Sequence, residues 1–290
     1  MLRAIIIGLL SSIGCVTLAG NTWGQEQEPP TESDSLHWAM SSFLGTGWYQ
    51  IDDSLSIFVV RIPPRQTVRQ SWFNSRDDRG IGIEIKYNTT LGLFAFDDLP
   101  NVIDFDSVGT FSFTPGVELE IPVTQDFYLR PFAHVGWGTD SESSSSAWIW
   151  FGGVKSRYRF PQSENNLAII GNLYYGGFNP TDAKSDDMGG LGLGMEGSIP
   201  LRSRSYRETT VDLDWHAMYT YFSNEPIFTT TPETSVQVEQ MLELGLALSP
   251  RDGRWDLWLW KPERLGLAVK WDPSTDFLGL TINFTSWFRQ

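Results

Sequence analysis

The stretch Phe111-Ser112-Phe113-Thr114-Pro115-Gly116-Val117-Glu118-Leu119-Glu120-Ile121 decides the fold, because its apolar residues recur at every second position. Phe111, Phe113, Pro115, Val117, Leu119 and Ile121 make one face, and Ser112, Thr114, Gly116, Glu118 and Glu120 make the other. A period of two belongs to extended chain, whose side chains alternate between two sides. Ile81, Ile83, Ile85, Tyr87, Leu91 and Leu93 repeat the pattern against Glu84, Lys86, Asn88 and Thr90. Leu129, Ala133, Val135 and Trp137 do so against Arg130, His134 and Gly136, and Leu191, Leu193, Met195 and Ile199 against Gly192, Gly194, Glu196 and Ser198. Val211, Leu213, Trp215, Ala217 and Tyr219 then oppose Asp212, Asp214, His216 and Thr220. These runs are long. Ordinary strands average about 5 to 6 residues, whereas a strand crossing a bilayer obliquely needs about 9 to 11.

The polar face carries Glu84, Lys86, Glu118, Glu120, Arg130, His134, Glu196, Asp212, Asp214 and His216. A dry sandwich core does not accept such groups, but the lumen of a wet or plugged barrel does, so these ten are the candidate lumen-facing residues. The apolar face then points to lipid. The alternative is a soluble exported β-sandwich with its polar face in water, and strand length argues against it.

Composition agrees. Across 290 residues, 41% are hydrophobic, 14% aromatic and only 19% charged, a balance that favours β-structure over long amphipathic helices. A formal charge of -14 leaves no broad basic surface for nucleic acid. Cys15 is the single cysteine, which excludes an intramolecular disulfide framework and multi-cysteine metal sites, and no cofactor is expected. No run of 18 consecutive apolar residues exists, which excludes membrane helices but not a membrane barrel.

Residues 1–24 read as a secretory signal, with Arg3 in the positive region and an apolar stretch from Ala4 to Ala19. Residues 25–47 form an N-terminal tail or lumenal segment: Ser33-Asp34-Ser35 offers a cap, and Leu36, Trp38, Met40 and Phe43 follow with helix-like spacing. Residues 48–290 are read as one barrel domain. The expected strands are 48–62, 65–74, 79–96, 108–121, 127–138, 147–160, 166–178, 188–199, 209–222, 235–248, 264–271 and 277–288, twelve in all. The even count rests on loop asymmetry, since short turns belong on the periplasmic side and longer loops outside. Treating Trp255 to Trp260 as a strand would invert that asymmetry, so the segment is read as an interfacial turn. The same arrangement places Trp137, Trp148, Trp150, Tyr219, Tyr221 and Trp271 in one aromatic belt and Phe127, Tyr128, Tyr158, Trp287 and Phe288 in another.

The chain closes on Leu278, Leu280, Ile282, Phe284 and Phe288 against Gly279, Thr281, Asn283, Thr285 and Trp287. This amphipathic strand resembles the carboxy-terminal signal of bacterial outer-membrane proteins, with Phe284, Trp287 and Phe288 as the assembly signal. Pro115 to Pro122, followed by Leu129-Arg130-Pro131-Phe132-Ala133-His134-Val135-Gly136-Trp137-Gly138, is similar to the solitary autotransporter-type outer-membrane barrels of Gram-negative bacteria. The resemblance implies a closed antiparallel transmembrane barrel of twelve strands, outer-membrane lipid and the barrel-assembly machinery as partners, a monomeric state, and a short N-terminal segment in the lumen. The two dozen or so residues between the signal and the first strand are too few for a folded passenger.

Chemistry in the lumen is a separate question. Asp214 and His216 share a strand face, and Asp104 with Asp106 forms a second acidic pair, an arrangement similar to the omptin proteases; their depths differ, because Asp104 and Asp106 fall in an outer loop. A serine–histidine lipase would need a nucleophile beside His134, and no spacing singles one out. Asp212, Asp214 and His216 would need a further ligand from a neighbouring strand to hold a metal. The expectation is therefore a non-enzymatic outer-membrane barrel, either a small pore or a structural membrane component. A lumenal hydrolase and a soluble sandwich are the alternatives.

Overall fold

The computed structural model describes residues 44–51, 56–62, 64–95, 109–140, 145–161, 163, 166–181, 185–206, 209–231, 234–251, 255 and 262–284. In chain order the strands are β1 (Gly47–Gln50), β2 (Ser56–Ile62), β3 (Arg65–Arg69), β4 (Trp72–Phe73), β5 (Arg79–Gly80), β6 (Gly82–Ala95), β7 (Thr110–Pro122), β8 (Phe127–Asp140) and β9 (Ser146–Arg159). They continue as β10 (Ala168–Pro180), β11 (Asp186–Tyr206), β12 (Thr209–Asn224), β13 (Ile227–Thr231), β14 (Thr234–Gln237), β15 (Gln240–Pro250), β16 (Leu265–Trp271) and β17 (Leu278–Asn283).

Neighbours in the sheet are antiparallel throughout, running β2-β1-β17-β16-β15-β12-β11-β10-β9-β8-β7-β6. The sheet closes because β2 also pairs with β6, from Ser56 opposite Ala95 to Ile62 opposite Thr89. β3 continues β2 along the lower part of β6, with Arg65 opposite Lys86. Counting β2 and β3 as one stave gives a closed barrel of twelve among the described residues. Two small hairpins extend from its rims, β4–β5 between β3 and β6, and β13–β14 between β12 and β15.

Twelve staves were expected, but the first two are drawn differently. Hydrophobic periodicity predicts 48–62 as one strand and 65–74 as the next. Instead β1 ends at Gln50 and pairs antiparallel with β2, so the chain reverses between Gln50 and Ser56, an interval that hydrophobic periodicity bridges. The link at 52–55 lies outside the described residues. Beyond Ile62 the chain stays on the same stave through Pro64, whose carbonyl accepts from Tyr87 N–H at 2.9 Å. Proline lacks the N–H that a continuous ladder requires, which explains the break between β2 and β3.

The distribution of residues is inverted relative to a soluble domain. Leu193 (64% exposed), Leu173 (61%) and Leu246 (59%) look outward, and so do Val135, Leu191, Leu244, Leu267 and Leu280. Lys86, Asn88, Glu118, Arg130, His134, His216 and Glu243 are buried. The expected belts are visible in part. Trp137 lies opposite Trp148 and both are exposed near the rim, as are Tyr219 and Tyr221, and Tyr158 is exposed toward the other end. Trp287 and Phe288 lie outside the described residues, as do Asp104, Asp106, residues 1–43 and most of Trp255 to Trp260. Trp255 itself is described and donates from Nε1 to the Leu248 carbonyl at 3.1 Å. Among the described residues no element is helical.

Closure runs through a short seam, four residues of β1 against β17, with Trp48 opposite Leu280 and Tyr49 opposite Gly279. Directly opposed antiparallel residues stand about 4.5–5.5 Å apart at Cα, inside the range that a disulfide spans. A Trp48→Cys/Leu280→Cys pair in a Cys15→Ser background is therefore expected to oxidise. Boiled, non-reduced protein should then migrate faster on a denaturing gel than the reduced form. Failure of that pair alongside efficient cross-linking at a neighbouring register would show the seam to be shifted.

Candidate functional site

The lumen has two zones, and both follow from which residues the alternation turns inward. Toward the rim that carries the β8–β9 and β16–β17 connections, the inward residues are apolar. Tyr49, Ile51 and Ile57 from the β1–β2 region pack with Ile149, Phe178, Met188, Phe222 and Phe277 as one buried cluster. Leu44, Phe151, Tyr174, Val236 and Met241 border it. The periodicity placed the polar faces inside but did not show that one end of the same faces turns apolar.

Further down, the inward residues are charged and cross-linked. Glu118 on β7 accepts from Lys86 on β6 at 2.7 Å and lies 2.8 Å from Arg130 on β8 and 3.5 Å from Lys155 on β9. Arg130, wholly buried, also reaches Glu84 at 2.7 Å and Glu120 at 3.5 Å. Ser71 donates to Glu120 as well, and Arg65 pairs with Glu263. On the opposite wall Glu243 joins His216 Nε2 at 2.9 Å and Lys270 at 3.3 Å. Toward the turn end, Arg157 meets Glu196 at 2.6 Å, Arg251 meets Asp212 at 2.6 Å, and Arg264 approaches Asp214 at 3.9 Å. Several links skip a stave, as Glu118 to Lys155 and Arg157 to Glu196 do, because side chains on a concave wall converge.

The ten candidate residues thus fall into four groups. Glu84, Lys86, Glu118, Glu120 and Arg130 share one network; His216 joins Glu243; Glu196, Asp212 and Asp214 each face an arginine; and His134 stands apart. The His134 ring stacks on Phe151 at 4.5 Å between centroids and 7° between planes. Its Nδ1 lies 3.2 Å from Asn88 Nδ2 and 3.2 Å from the Thr114 carbonyl, so it accepts from the first or donates to the second according to tautomer. Residues that the sequence reading missed include Arg61, Lys155, Glu243 and Lys270. Glu243 and Lys270 sit among leucines and alanines, where single charges in short alternating runs carry little signal.

Two glycines make room for the imidazoles. Gly116 lies across from His134 and Gly245 across from His216. A Cβ at Gly116 would fall 2.2 Å from His134 Nδ1, and one at Gly245 would fall 2.1 Å from His216 Cε1. Each ring therefore occupies space that a side chain at the glycine opposite would fill. Among the described residues no group of three or more histidines, cysteines and acids is placed to hold a metal ion.

No family model matches the chain, and no curated protein matches it. Among solved structures it is similar to the β domain of the Bordetella autotransporter BrkA, at 12% identity, with 82% of this chain and 96% of that chain covered and a TM-score of 0.40.

The buried network makes the partners interdependent. Removing one member of a buried ion pair costs about 3–5 kcal/mol, whereas a half-exposed pair contributes under about 1 kcal/mol. Glu118→Gln withdraws the carboxylate that three cations share. It is expected to destabilise the barrel by about 3–5 kcal/mol in urea unfolding from detergent or bilayers. Arg159→Gln, which removes the partner of Asp126 from a site where the arginine side chain is 42% exposed, should cost under about 1 kcal/mol.

Proposed function

We propose that this chain is an integral bacterial outer-membrane barrel with an occluded lumen, a structural and non-enzymatic membrane component rather than an open diffusion pore. The observation that carries this reading is the inverted wall. A soluble monomer seldom exposes contiguous apolar patches beyond a few hundred Å². Here leucine, valine and aromatic residues cover the outward positions of β8 to β12 and of β15 to β17. In hydrocarbon every backbone polar group needs an internal partner, and a closed ring of strands supplies it without leaving an edge.

Occlusion is supported by the apolar cluster toward one end of the lumen and the cross-linked charges below it. The non-enzymatic reading is supported by the two buried imidazoles, which are held by Glu243 and by the Phe151 stack with its Thr114 and Asn88 partners. Outer-membrane lipid and the barrel-assembly machinery are the partners this reading requires, and the protein acts as a monomer. The Ser146 end faces outward from the cell and the Val123–Asp126 turn faces the periplasm.

Leu193 separates lipid from water as the outer solvent. At a position 64% exposed to water, arginine is tolerated within about 0.5 kcal/mol. On a bilayer-facing wall it costs about 2–4 kcal/mol near the midplane. Leu193→Arg is expected to show the larger loss in urea titrations from lipid bilayers, and the wild-type chain to stay folded only with detergent or lipid. A compact wild-type species without surfactant would overturn the membrane reading. In planar bilayers the wild type should show little conductance, and Phe222→Ala combined with Phe277→Ala should raise it; a large steady wild-type conductance would overturn the occluded lumen.

A further inference from the structure

Between the apolar packing and the ionic network the barrel holds a partly open cavity of about 200 Å³. Its walls are chemically divided. Tyr174, Met188, Met218, Phe222 and Phe277 line the apolar part, and Arg61, Lys86, Lys155 and Lys270 face it together with Glu118 and Glu243. Four cations therefore meet two carboxylates, inside a protein whose formal charge is -14. Both carboxylates are already engaged, Glu118 by Lys86, Arg130 and Lys155, and Glu243 by Lys270 and His216. Arg61 differs from the other cations. Its Nε is buried with no hydrogen-bond partner among the described residues, and the carboxylate that acts on it, Glu118, is already held by Lys86, Arg130 and Lys155.

Burying a charge without a counter-ion is costly, and a guanidinium is best compensated by a planar oxyanion that accepts two of its hydrogen bonds. An apolar chamber beside it selects what that oxyanion carries. Cavities of about 150 Å³ lined by apolar side chains hold a benzene ring, so this one matches an aryl ring with a short arm or an alkyl chain of similar bulk. We propose that the cavity is a binding site for a small amphipathic carboxylate, its head on Arg61 and its apolar body between Met218, Phe222 and Phe277. The inference rests on the enclosed, occluded barrel proposed above.

The test is titration of the folded, detergent-solubilised barrel with phenylacetate by calorimetry, with phenethylammonium as the charge-reversed probe. Phenylacetate should bind saturably and phenethylammonium should not. Arg61→Gln should weaken phenylacetate binding tenfold or more, and Arg61→Lys, which keeps the charge but loses the fork, should fall between. Met218→Trp, which fills the chamber, should abolish binding; should that variant fail to fold, Thr220→Leu narrows the same wall. Heat-modifiable gel migration confirms folding in each case. Absence of saturable binding to the wild type, equal affinity for the cation, or an unchanged affinity in Arg61→Gln overturns the site. A chain that stays folded without surfactant yet binds phenylacetate through Arg61 would overturn the membrane reading and leave the site standing, whereas a detergent-dependent barrel that binds nothing does the reverse.

Discussion

The structure depends on one constraint, the pairing of every strand edge. An unpaired row of N–H and C=O groups is a template for pairing with other chains, and on the membrane reading proposed above it would face hydrocarbon at a cost of several kcal/mol per group. Closure therefore has to be complete, and it is achieved by very short pieces. β1 offers four residues between β17 and β2, and β2 hands its place beside β6 to β3 across a proline break. The long central staves carry most of the ladder, but the short seam turns a sheet into a barrel.

Closure also creates a solvent of its own. Side chains pointing to a concave wall converge, so charges on different staves meet. Arg130 gathers three glutamates, and Glu118 is approached by three cations. Such groups are too expensive to bury singly and become tolerable only as a network with each member partnered. The apolar end of the lumen fits beside it because the strands near that rim turn Tyr49, Ile57, Ile149 and Phe222 inward. The cavity lies where the two regimes meet, which is why its lining is both cationic and aromatic.

Much of the fold was legible because the side-chain period of a strand is fixed at two. Residues such as Leu191, Leu193 and Met195 announce an outward face without reference to anything distant. The first staves were less legible. The reversal between Gln50 and Ser56 leaves no break in hydrophobic alternation long enough to notice, and the Pro63-Pro64 pair reads as a turn although the chain continues along the same neighbour. The candidate site was half visible: alternation marks Glu118 or Arg130 as facing away from the apolar wall, yet says nothing of which charge meets which.

What the sequence alone determined is the strand class and the sorting of residues into two faces, since these depend on spacing along the chain; the count of twelve agrees, although the bounds of the first two staves differ. Only the tertiary structure decided which staves close the ring, that Glu118 is shared by three cations, that Gly116 and Gly245 leave room for the imidazoles, and that Arg61 faces an apolar chamber. Those are relations between residues tens of positions apart. They are set by register and wall curvature, quantities that no local periodicity contains.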